Sequence, residues 1–191
     1  MYDKILFCSD LFVSTDQAFL NALQTANDSD AQLLVFHVLE SGHRYSGHVE
    51  TYDAEVVSDA EIFDKIAANL KKYYSKLISS NFKDKIEIKA TGGVPIPVAS
   101  TPDIRYEVRG GNAIIEILRF ARKEDIDLIV MGSYTLSSDG ELDGESKVEP
   151  KGEPKGEPRL GTNVKQILLS AKCPVLIVTP PGQRLNIEPD D

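Results

Sequence analysis

The feature that most restricts the fold is a pair of segments, Asp127-Leu128-Ile129-Val130-Met131-Gly132-Ser133 and, further on, Gly161-Thr162-Asn163. The second opens a short helix that leads into Cys173-Pro174-Val175-Leu176-Ile177-Val178. An acid-led apolar run ending in Met-Gly reads as a strand buried on both faces, as in a parallel sheet covered by helices. A Gly-Thr-Asn helix start after such a strand offers unpaired backbone N–H groups and the positive end of the helix dipole. Open α/β sheets hold phosphate in this way. Between the halves lies a polar insert, residues 136–160, which repeats Lys-Gly-Glu-Pro at 151–154 and 155–158. Its prolines and glycines break helices and it carries almost no apolar anchor. A flexible, solvated, low-complexity loop is expected there.

The same alternation runs through the rest of the chain. Ile5-Leu6-Phe7-Cys8-Ser9 is a buried strand that ends at Asp10. Ser14 and Gln17 have capping-box spacing before a helix reaching about residue 25. Leu33-Leu34-Val35-Phe36-His37-Val38-Leu39 is the second strand. A long helix is expected over about 54–79, because Phe63, Ile66, Ala67, Leu70, Tyr74 and Leu77 share one stripe. The prolines in Gly93-Val94-Pro95-Ile96-Pro97 bar a central strand, so this part reads as an irregular excursion with a short edge strand at 86–89. Residues 104–109 alternate apolar and polar. After Gly110-Gly111-Asn112 a helix carries Ile114, Ile117, Leu118 and Ala121 inward, and the helix at 162–171 is expected to do so with Val164, Ile167 and Leu168. The sum is a single α/β domain over residues 1–191, with a five-stranded parallel sheet and helices on both faces in the Rossmann-like manner.

The chain has 191 residues, enough for one ordinary domain with a substantial core. A net charge of −9 argues against nucleic-acid backbones and anionic membranes as main partners. Cys8 and Cys173 form neither a disulfide framework nor a metal spacing, and buried reduced thiols are expected. No apolar run approaches a membrane span or a signal peptide, so a cytoplasmic location is the expectation.

Taken in order and spacing, these segments resemble the universal stress protein family nearly end to end. Lys4-Ile5-Leu6 through Asp10, Phe36-His37-Val38, Gly111-Asn112-Ala113, residues 127–132 and Gly161-Thr162-Asn163 through Val178 carry the likeness. The resemblance implies an adenine-nucleotide site for ATP or AMP lined by Cys8, Asp10, Val38, Met131, Gly132, Gly161, Thr162 and Asn163. It also implies a homodimer through the last strand, whose apolar edge is a template for pairing. Nucleotide-binding members carry Gly-x-x-Gly, nine residues, then Gly-Ser or Gly-Thr. Here Gly132 matches, but Thr135 stands at the second glycine and 25 residues separate it from Gly161. Cys8 replaces a proline common in the family, and packing is its plain reading.

Several residues have two readings. Asp10 either contacts ligand or supplies a favourable charge at the start of the following helix. Thr162 either bonds phosphate or caps its helix. His37 reads as a satisfied core histidine, and His43, His48 and Asp53 as a solvated loop. The Gly-x-x-x-x-Gly-Lys-Ser/Thr loop of nucleotide hydrolases is absent from the sequence, so a turnover enzyme is not expected. Three functions stand open: a homodimeric adenine-nucleotide sensor, a nucleotide-independent interaction module, and a slow ATPase using Asp10 beside a metal such as Mg2+.

Overall fold

The computed structural model describes residues 1–10, 15–40, 59–86, 102–133 and 160–179. Five strands alternate with four helices: β1 (Lys4–Ser9), α1 (Asp16–Ser29), β2 (Gln32–Leu39), α2 (Asp59–Ile86), β3 (Ile104–Gly110), α3 (Ala113–Lys123), β4 (Leu128–Gly132), α4 (Thr162–Ser170) and β5 (Val175–Val178). All ladders are parallel and the strand order is β3-β2-β1-β4-β5. Parallel neighbours cannot be joined by tight hairpins, which is why every connection carries a helix.

The sheet divides the core into two. Ile5, Phe7, Leu33, Val35, Leu128 and Val130 face α1 and α2, where Phe19, Ile66, Leu70 and Tyr74 complete the packing. Leu6, Cys8, Leu34, Phe36, Ile129 and Met131 face α3 and α4, with Ile117, Phe120, Val164 and Ile167. Alternate residues of one strand thus enter different cores, which explains the uninterrupted apolar runs in the sequence. On the first face Phe7, Phe19 and Tyr74 form a ring cluster, with Phe19 and Tyr74 centroids 4.2 Å apart. On the second, Phe36 stacks on Phe120 at 4.4 Å, and Arg109 lies 5.2 Å over the same Phe120 ring.

Two sequence expectations are corrected. Helix α2 runs to Ile86, so Ile86 ends a helix and does not start an edge strand. No proline or glycine interrupts residues 79–86, and the helical hydrogen bonding continues past the last strongly periodic position. Residues 87–89 lie outside the described residues, as do Ser14 of the expected capping box and residues 136–159 of the insert. Leu160, at the end of that insert, packs against the α3–α4 core. In α4, Val164 and Ile167 are buried but Leu168 is 46% exposed, because a nine-residue helix at the sheet margin turns only a narrow stripe inward.

The acid that opens β4 has a structural purpose. Asp127 Oδ2 accepts hydrogen bonds from the backbone N–H of Asp3 and of Lys4, both at 2.9 Å, and so pins the start of β1 to its neighbour. These two bonds hold the Asp127 carboxyl below the usual carboxylate range. Asp127→Ala is expected to lower stability by about 1–2 kcal/mol at neutral pH, read from urea unfolding. Because the folded value is depressed, this contribution is present above the unfolded carboxylate value and fades as pH falls through the folded one, and the difference from wild type should shrink accordingly.

Candidate functional site

The chain lays β2 and β3 on one side of β1, then crosses to place β4 and β5 on the other. Helix α1, which follows β1, and helix α4, which follows β4, therefore lie on opposite faces, and in open parallel sheets the binding crevice forms at the carboxyl ends of two such strands. Asp10 follows β1 there, Gly132 ends β4, and Val38 lies near the end of β2. Helix α4 runs back against the strands, so Gly161, Thr162 and Asn163 come to the same sheet edge. The topology thus gathers all of these candidate residues at one edge.

The two helices on this face differ at their starts. In α3, Glu40 Oε1 accepts from Ala113 N–H at 2.9 Å and Asn112 Oδ1 accepts from Ile115 N–H at 3.1 Å. Two of its first-turn donors are engaged by side chains. In α4 the N-cap is Gly161, which has no side chain to fold back, and no described side chain bonds the first-turn N–H groups. Gly161 is buried while Thr162 and Asn163 are exposed. Thr162 is the first helical residue, so it is not the N-cap. This helix start keeps its donors and the positive end of its dipole available to an anion.

Gly132 is needed for a reason the sequence did not disclose. A Cβ built on it would lie 2.7 Å from Thr15 Cγ2, closer than any real contact. Thr15 is held there because its hydroxyl donates to Asp10 Oδ1 at 2.8 Å, while its position as N-cap of α1 goes without a side-chain cap. Asp10, Thr15 and Gly132 thus form one packed unit across the crevice floor. Asp10 itself is exposed and carries its charge beside the start of α1.

Beneath this floor lies a buried polar layer. Tyr74 and Ser9 share a hydroxyl hydrogen bond of 2.7 Å, and the neighbouring Tyr73 hydroxyl donates to both Asp16 carboxylate oxygens at 2.8 and 2.9 Å. His37 Nδ1 donates to the Ser9 carbonyl at 2.7 Å. Burial lowers the His37 value from its ordinary 6.5, against the opposing pull of that bond. It is a satisfied core histidine. Cys8 and Met131 are register partners, both buried on the α3–α4 side, and burial pushes the Cys8 thiol far up, which leaves it protonated and unreactive. Cys173 is a second free thiol, partly buried. Val38 packs at the margin of the same core.

The profile of the universal stress protein family matches residues 1–179. The chain belongs to this family. Among solved structures, a universal stress protein in complex with cAMP is similar at 19% identity and a TM-score of 0.55, covering 94% of this chain and 98% of that one. Universal stress protein UspA from Lactobacillus plantarum is similar at 18% identity and a TM-score of 0.50, with 93% and 97% covered. No curated protein sequence matches.

Within this stress protein, sequence reading missed two residues at the crevice. Thr15 dictates glycine at 132, a contact between distant parts of the chain. Ser133, 0% exposed, carries the only buried side-chain polar atom without a hydrogen-bond partner among the described residues. No local pattern marks either. No group of three or more metal-ligating side chains occurs among the described residues, and none of the described helices is long and apolar enough to cross a membrane. His43, His48, Asp53 and Thr135 lie outside the described residues.

Two measurements check this geometry. Gly132→Ala is expected to cost about 1–3 kcal/mol of stability by overpacking against Thr15. Adding Thr15→Ser, which removes Cγ2 and keeps the hydroxyl on Asp10, should recover most of that loss in a double-mutant cycle. For His37, the folded state favours the neutral ring. Its contribution is full above the unfolded value and is lost as pH falls through the lower folded value. Urea unfolding between about pH 7 and 5 should show wild-type stability falling more steeply than that of His37→Gln.

Proposed function

We propose that this protein is a cytoplasmic regulatory member of its family that binds an adenine nucleotide, ATP or AMP, as a homodimeric sensor and not as a turnover enzyme. The observation that carries the reading is the unequal treatment of the two helix starts on one face. Glu40 and Asn112 engage two first-turn donors of α3, whereas those of α4, led by Gly161, have no described side-chain partner. A phosphate set against Gly161, Thr162 and Asn163 would meet N–H groups and the helix dipole with no need of a basic side chain, which suits a chain of net charge −9. Val38 and Asp10 stand along the same edge, where base and ribose would extend. The neighbour solved with cAMP supports an adenine nucleotide as the ligand class. Mg2+ would arrive with the phosphates of ATP, with Asp10 as the carboxylate at the crevice.

The dimer would form through β5. Among the described residues this strand pairs with β4 on one edge only, and Leu176 on it is 38% exposed, with Leu168 and Leu169 of α4 exposed at 46% and 85%. An apolar edge of this kind is a template for a second copy.

A second reading is favoured by Thr135 and the 25 residues between it and Gly161, which depart from the family's binding pattern. A side chain where that pattern has glycine costs about 1–2 kcal/mol if a left-handed backbone is required. The protein would then be a nucleotide-independent dimeric interaction module. Calorimetric titration with ATP, ADP and AMP, after identifying any small molecule released on denaturation, separates the two. Micromolar binding that Gly161→Asp weakens at least about tenfold, with the sedimentation coefficient unchanged, is the expected result. Empty protein with flat titrations would leave the interaction module.

A further inference from the structure

The connection from β1 to α1 is bounded by Ser9-Asp10, where it leaves the sheet, and by Thr15-Asp16, where it enters the helix. Asp10 and Thr15 are the inner members of these pairs, joined by the 2.8 Å hydrogen bond of the crevice floor. The outer members, Ser9 and Asp16, are both held by α2, and by consecutive residues of it. Tyr74 shares its 2.7 Å hydroxyl bond with Ser9, and Tyr73 donates to both carboxylate oxygens of Asp16. Neighbouring helix positions point about 100° apart and do not face one another. That divergence lets a single turn of α2 grip both ends of the connection. Tyr74 is 1% exposed, its ring against Phe7 and Phe19, while Tyr73 is partly buried at the start of α1, its ring 5.1 Å from that of Tyr74. Core packing alone does not call for the Tyr74 and Ser9 hydroxyls. Phenylalanine and alanine would fill similar space without desolvating two polar groups, and such paired replacements are close to neutral for stability. What the hydrogen bond adds is a fixed position. Burial pushes both tyrosine hydroxyls well above their ordinary value, so each keeps its proton.

We propose that Tyr73 and Tyr74 are positioning residues for the nucleotide crevice: by clasping Asp16 and Ser9 they set where the Asp10 carboxylate stands toward the ligand. The inference rests on the nucleotide reading above and adds to it two residues of a helix outside the crevice. Both tyrosines act through Asp10 and not on the ligand. His37 braces the same point from β2, its ring donating to the Ser9 carbonyl. Because Thr15 stands between Asp16 and the Gly132 backbone, the grip on Asp16 also fixes the side chain that packs on β4. Coupling between two parts of a protein is reciprocal. A ligand that engages Asp10 therefore steadies α2, and a displaced α2 loosens the ligand.

The test uses two full-length variants that keep every ring: Tyr73→Phe, and Tyr74→Phe combined with Ser9→Ala so that no buried hydroxyl is left unmatched. Each is titrated with ATP, alone and on an Asp10→Ala background, and followed without ligand by urea unfolding and amide exchange. Each variant is expected to weaken ATP about three- to thirtyfold. On the Asp10→Ala background the same changes should matter less than about twofold, because the group they position is gone. Without ligand, amide exchange at Asp10, Thr15 and Asp16 should quicken while that of α3 stays as in wild type. Unchanged ATP affinity in both variants would overturn the proposal, and so would unaltered exchange at those three residues. An equal loss with and without Asp10 would overturn it too, since the tyrosines would then act on the fold at large. Lower stability with unaltered affinity would make them packing residues only. If the wild-type protein does not bind ATP, the nucleotide reading fails and takes this inference with it. Wild-type binding that neither variant changes removes this inference alone.

Discussion

Everything at the crevice depends on β1 being hydrogen-bonded along both edges. Its ladder to β2 runs from Lys4 to Ser9, and its ladder to β4 from Ile5 to Cys8. Because both are parallel, the chain must return across the sheet after every strand, and two helices settle on each face. The reversal of winding at β1 then sets α1 and α4 on opposite faces of the sheet. The crevice is therefore a product of topology before any side chain enters it. Side chains fix the two ends of β1: Asp127 ties β4 to its start, and Tyr74 and His37 hold Ser9 at its finish.

Strands β1, β2 and β4 were legible because burial on both faces leaves a continuous apolar run, a signal that does not depend on distant neighbours. Helix α3 was legible in its stripe, yet Phe120, fully buried against Phe36, fell outside the residues picked from that stripe. The end of α2 was misread because alternation beyond residue 85 looks like a strand, while continuation of a helix needs only the absence of a breaker. Leu168 was misplaced because periodicity gives a face its direction but not its width. Family membership was readable from the order of motifs, since no single motif carried it.

The site was readable in its location and less so in its reasons. Gly132 was singled out as a place where a ligand would approach the backbone, and the structure shows Thr15 Cγ2 filling that approach from the α1 side. Thr162 and Asn163 could be placed at a helix start from sequence. The contrast with α3 could not, because Glu40 reaches Ala113 from the end of another strand. Ser133 was invisible for a different reason: an unmatched hydroxyl can be recognised only when every neighbour is known.

The margins of the sheet are chemically unlike. Among the described residues, β3 lies at one margin, where Glu107 joins Arg105 and Arg109 in a ladder of opposite charges over Phe120. At the other margin β5 presents valine, leucine and isoleucine. A sheet with two apolar margins could recruit copies from both sides and grow into a filament without end. One charged margin works against that growth, so the pairing proposed across β5 would end as a closed, two-fold symmetric pair.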